Sequence, residues 1–69
     1  MDKFTERLKE LRTEKGLSQL QLAKETGLGK SAIGVWELGQ RIPNALAIIT
    51  LAKYFGVTAD YLLGISDEL

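Results

Sequence analysis

Cysteine and histidine are both missing from this chain of 69 residues. Without cysteine there is no disulfide to staple the fold and no thiolate to bind a metal. Without histidine the chain lacks the usual metal ligand and the usual general base at neutral pH. No apolar run approaches the roughly 18 residues of a membrane span. The N-terminal MDKFTERLKEL is amphipathic and carries acids, unlike a signal peptide. These absences lead us to expect a cytoplasmic protein with no metal, no cofactor and no membrane partner. The length fits a single domain over residues 1–69 with a small core, so helical packing must be economical.

Excess charge is missing as well. Nine basic and nine acidic residues give a net charge of zero. Residues 1–17 carry five basic and four acidic groups, residues 18–43 three and two, and residues 44–69 one and three. The last third is therefore the negative end. Charge alone does not point to nucleic acid, whose phosphates are bound largely through Lys and Arg.

What is present is helical punctuation. Phe4, Leu8 and Leu11 recur at helical spacing and predict a first helix over about 3–15, closed by Gly16. Ser18 followed by Gln21 is a capping-box pattern that opens a second helix over about 19–25. Gly27 ends that helix sharply, because it can adopt positive φ. Gly29 then precedes a third helix over about 30–38. Leu22 and Ile33 supply apolar groups between the two, and Ala23 is small enough to let them cross closely. Two helices joined in this way form a helix-turn-helix, whose second helix can lie in a DNA major groove.

The single clear loop is Gly39–Pro43, since Pro43 cannot continue a helix and biases Ile42 toward extended backbone. Asn44 caps a fourth helix over about 45–55, with Ile48, Leu51, Ala52 and Phe55 inward and Gly56 at its end. Thr58 caps a short fifth helix over about 59–63, closed by Gly64. Val57, Tyr61 and Leu62 are expected to pack on the core, and residues 65–69 read as a tail. The expected fold class is all-α, five short helices around one core.

No catalytic constellation is visible, so an enzymatic role is not expected. Ser18, Ser31 and Ser66 have no histidine partner, and the carboxylates are scattered over helix surfaces. Gly27 and Gly29 make a G-x-G with no strand before it, which is not a phosphate-cradling loop.

From Leu8 to about Gly64 the chain resembles the lambda-repressor-like, Xre/Cro-type helix-turn-helix domains. The matching residues are LRTEKGLSQ (11–19), LA (22–23), TGL (26–28), SAI (31–33), WE (36–37) followed by Gly39, RIPN (41–44), LAKYFGV (51–57) and DYLLG (60–64). The resemblance implies sequence-specific binding of double-stranded DNA by a homodimeric transcriptional regulator, a repressor, of bacterial or phage origin. It places Lys30, Ser31, Gly34 and Val35 on the bases. Lysine suits guanine O6 and N7, and valine suits a thymine methyl. It places Gln19, the backbone at Gly29, Gln40 and Arg41 on phosphates, with Arg12 as a further phosphate contact. It also pairs Arg12 with Glu37 at the rim of the domain, a bidentate ion pair that fixes the recognition helix. Trp36 is expected to pack rather than to stack on bases.

The chain departs from this pattern on the face that would meet DNA. Gly34 sits in a helix interior, where it costs about 1 kcal/mol relative to alanine, which suggests close approach by some other group. Leu20, Val35, Leu38 and Leu46 replace polar side chains and could form one apolar patch. The alternative reading is therefore a protein-interaction module, natural or engineered, in which that face meets a protein partner or a second copy. For a DNA-binding dimer, Ile65 and Leu69 are candidate two-fold contacts on an otherwise acidic end.

Overall fold

A computed structural model describes residues 2–69. It contains five helices: α1 (Asp2–Glu14), α2 (Gln19–Thr26), α3 (Lys30–Glu37), α4 (Ala45–Phe55) and α5 (Ala59–Leu63). There is no strand among the described residues. Their ends follow from local chemistry. Ser18 accepts from Gln21 N while the Gln21 side chain accepts from Ser18 N, so both halves of the capping box are present. Asn44 and Thr58 cap α4 and α5 by accepting from Ala47 N and Tyr61 N. α3 stops at Glu37, one residue before the expected end, because Gly39 turns the chain at φ 73° and Gln40 N then bonds back to Val35 O. α1 begins and ends one residue earlier than expected, and α2 runs one residue further.

α2 packs on α3, α1 on α3 and α5, and α4 on α5 and α2. Phe4 and Leu8 of α1 meet Leu22, Ala23, Ile33, Trp36, Ala47, Ile48, Leu51, Ala52 and Leu62 in one core. Phe4 and Trp36 meet edge to face, with ring centroids 6.4 Å apart, so α3 is anchored at its C-terminal end by a packed aromatic pair. Trp36 is a core residue, as its place in the pattern implied. Leu11, Phe55 and Val57 are half-buried and pack against the core from outside. Gly64 ends α5 at φ 83°, and a side chain there would overlap that of Lys3. The end of α5 can therefore lie directly on the start of α1.

Arg7 is only 8 % exposed. Its guanidinium donates to Tyr61 O, to Ser66 O at 2.7 Å and to an Asp67 carboxylate oxygen at 2.6 Å, and its Cζ lies 4.0 Å over the Tyr61 ring. Residues 65–69 carry no helix, but Arg7 fixes the path of Ser66 and Asp67 against α1. No helix of the described residues is long and apolar enough to cross a membrane.

Candidate nucleic-acid interface

The α2–α3 unit presents two neighbouring groups of side chains. The first is a buried polar network behind the helices. Arg12 Nε donates to Glu37 Oε2 at 2.6 Å and Nη2 to Glu37 Oε1 at 2.9 Å, a bidentate pair. Its remaining nitrogen, Nη1, donates to Leu17 O at 2.7 Å, in the turn before α2. Gln19 Nε2 donates to the same Glu37 Oε1 at 3.2 Å. One carboxylate thus ties the end of α1, the start of α2 and the end of α3 together. The pair lies deeper than a rim position: the Glu37 side chain is 5 % exposed and that of Arg12 12 %. The bonds to Glu37, reinforced by its charge, raise the Arg12 pKa above its already high value, against the opposing effect of burial. The guanidinium is a fixed charge at any working pH.

The second group faces outward. Lys30 and Ser31, at the start of α3, are exposed, as are Gln40 and Arg41 in the loop after it. Ser31, Val35, Gln40 and Arg41 line one open groove between α3 and that loop, floored by Ala32 and Trp36 and edged by Ile42 and Asn44. Gly29 begins α3 with no side chain over its first turn, which leaves the helix N-terminus open to an anion. Gly34 and Val35 are half-buried. Arg12, expected on phosphate, is turned inward by its bonds to Glu37 and Leu17 O.

Gln19, also expected on phosphate, is half-buried and engaged by Glu37. What closely approaches Gly34 is this side chain: a Cβ on Gly34 would stand 3.3 Å from Gln19 Oε1. Of the apolar departures, Leu38 and Leu46 are 71 % and 70 % exposed and Leu20 47 %, whereas Val35 forms part of the groove wall.

Three features escaped the sequence reading. Ile42 and Ile49 are further exposed apolar residues, and Asn44 edges the groove in addition to capping α4. The third is Arg7. Its signal was available: position 7 lies three residues after Phe4 and four before Leu11, inside the apolar stripe of α1.

A family model described as a helix-turn-helix domain matches residues 5–67. The chain is 43% identical over 66 residues to the HTH-type transcriptional activator BcrR of Enterococcus faecalis, covering 96% of this chain and 32% of that protein. It is 31% identical over 64 residues to the cryptic phage CTXphi transcriptional repressor RstR of Vibrio cholerae, covering 93% of this chain and 58% of that protein. The chain thus spans from about a third to under three fifths of these two curated relatives. Among solved structures, it resembles the restriction-modification controller protein C.AhdI from Aeromonas hydrophila. That likeness has a TM-score of 0.78 and 45% identity, and covers 87% of this chain and 91% of the other.

Proposed function

The chain belongs to the helix-turn-helix domain family, and from that premise we propose that it is a transcriptional regulator that binds duplex DNA sequence-specifically, with α3 in the major groove. The observation that carries this is the outward face of α3. Lys30 and Ser31 stand exposed at its start, Val35 lies one turn on, and Gln40 and Arg41 share one groove with Ser31 and Val35. Lys30 and Ser31 supply donors for base edges, Val35 an apolar contact for a thymine methyl, and Arg41 a cation for the backbone. The role is binding rather than catalysis. We place it in the bacterial cytoplasm, in keeping with the bacterial and phage origin of the relatives. We assign it repression, the role named for the Vibrio cholerae relative, because occupancy of a promoter is enough to block it.

The regulator acts as a homodimer in this reading. Two copies place their α3 helices in successive major grooves about one turn, roughly 34 Å, apart. Ile65 and Leu69, exposed at the C-terminal end, are the residues we assign to the two-fold contact. Sedimentation of Ile65→Lys/Leu69→Lys tests this: the variant sediments as a folded monomer, and an unchanged dimer rules the end out as the contact.

With Arg41 as the cation facing the backbone, a dimer neutralises about two phosphates, for a salt slope near −1.8. The test of the whole reading is selection from a random duplex pool at low salt. Recovery of a two-fold symmetric site supports it, and a pool that stays random after repeated rounds refutes it.

A further inference from the structure

Among the described residues, Gly34 is the one glycine that lies within a helix. Glycine is the poorest helix former after proline, so its place in α3 calls for a physical reason. Its φ is not positive, so the backbone does not demand it. The reason is space. A methyl there would lie 3.3 Å from Gln19 Oε1, closer than carbon and an amide oxygen settle without one of them moving. Gln19 leaves the first turn of α2 and lies across α3 at this point. Its Nε2 donates to Glu37 Oε1 at 3.2 Å, which fixes the amide with its nitrogen toward the carboxylate.

An amide nitrogen carries two hydrogens. One is held by Glu37, and the side chain makes no other hydrogen bond among the described residues. The Glu37 charge does not count against a nearby anion, because Arg12 already neutralises it in a bidentate pair.

We propose that Gly34 is a positioning residue for phosphate binding: the missing side chain opens a slot for Gln19, Glu37 holds one amide hydrogen, and the second is presented ready to donate to a phosphate oxygen of duplex DNA. This rests on the DNA-binding reading and deepens it. The slot orders a flexible side chain before the encounter, so the contact forms with less loss of freedom on binding. Because glutamine is neutral, the contact releases no counterion. Losing it weakens affinity without changing the salt slope, unlike loss of a lysine or arginine.

The experiment uses the full chain and a duplex recovered by selection against it, with Gly34→Ala, Gln19→Ala and the double variant. Gly34→Ala keeps the fold, since alanine is the better helix former and the group in its way is the end of a flexible side chain. It binds the duplex roughly three- to tenfold more weakly, the span of one net hydrogen bond, with the parent's salt slope. The double variant binds no more weakly than Gln19→Ala alone. In the free parent chain, the Gln19 amide hydrogens show nuclear Overhauser contacts to Gly34 Hα. Gly34→Ala binding as tightly as the parent, losses that multiply in the double variant, or absence of those contacts each overturns the proposal. A parent chain that binds no duplex at all defeats instead the DNA reading on which it stands.

Discussion

Arg7 and Arg12 leave the same helix and are both nearly buried, yet the acids they meet sit in opposite surroundings. The Glu37 side chain is 5 % exposed, and that of Asp67 is 88 % exposed. Arg12 therefore completes a desolvated ion pair, while Arg7 mainly satisfies backbone carbonyls of α5 and the residues after it. The same residue type performs two tasks. One orients α3 from behind; the other closes the far end of the domain. What separates them is the fate of the partner when the arginine is removed. Glu37 stays buried with only Gln19 beside it, whereas Asp67 returns to water. Breaking a buried pair by removing one member costs far more than losing an exposed one.

This asymmetry ranks the variants. The largest loss is expected for Arg12→Met and Glu37→Gln, each about 1–3 kcal/mol in the range for charged hydrogen bonds. The double variant loses less than the sum, because the second change removes a group already left unpaired. A denaturant-based double-mutant cycle reads this directly, and strictly additive losses would show the two residues to be uncoupled. Arg7→Met comes next, at about 1 kcal/mol. Tyr61 O keeps a bond from Gly64 N at 3.0 Å, so that carbonyl is not stranded. In hydrogen exchange, its effect should concentrate in α5 and leave α2 and α3 protected as before. A uniform loss of protection across all helices would erase the distinction between the two ends.

Asp67→Asn is the smallest change, because an exposed pair is screened by water. Its effect is best seen against pH. The bond from Arg7, with the nearby charges of Lys3 and Arg7, holds the Asp67 pKa below its ordinary value. The contribution is then fully present above the ordinary aspartate range and is lost as pH falls through the folded-state value. Melting curves of parent and Asp67→Asn should differ slightly at neutral pH and converge in acid. A gap that widens on acidification would contradict the assignment.

The same two arginines show what the chain discloses before it is folded. Helix ends were legible wherever one residue carries the signal alone. Ser18 with Gln21, Asn44 and Thr58 each cap a helix by a bond within three residues, so no distant partner is needed. The Arg12–Glu37 pairing was legible only through resemblance, because its partners lie 25 residues apart, and the depth of the pair depended on how α1 and α3 pack. Arg7 was missed because a charge inside an apolar stripe is ordinarily read as solvent-facing. Its carbonyl partners, more than 50 residues on, carry no side-chain signature. Gly34 lies between these cases. Its helical cost announced a close approach, but only the crossing of α2 over α3 identifies Gln19 as the group that approaches.

In the DNA-binding reading, the Arg12 end of the molecule meets DNA and the Arg7 end does not. The most direct measurement is a titration of the ¹⁵N-labelled chain with the selected duplex, followed by backbone and side-chain amide shifts. The largest changes are expected at Gln19, from Gly29 to Val35, and at Gln40 and Arg41, with Arg7, Tyr61 and Asp67 close to their free positions. Changes centred on Leu46 and Ile49 or on the residues around Arg7, with α3 silent, would contradict it.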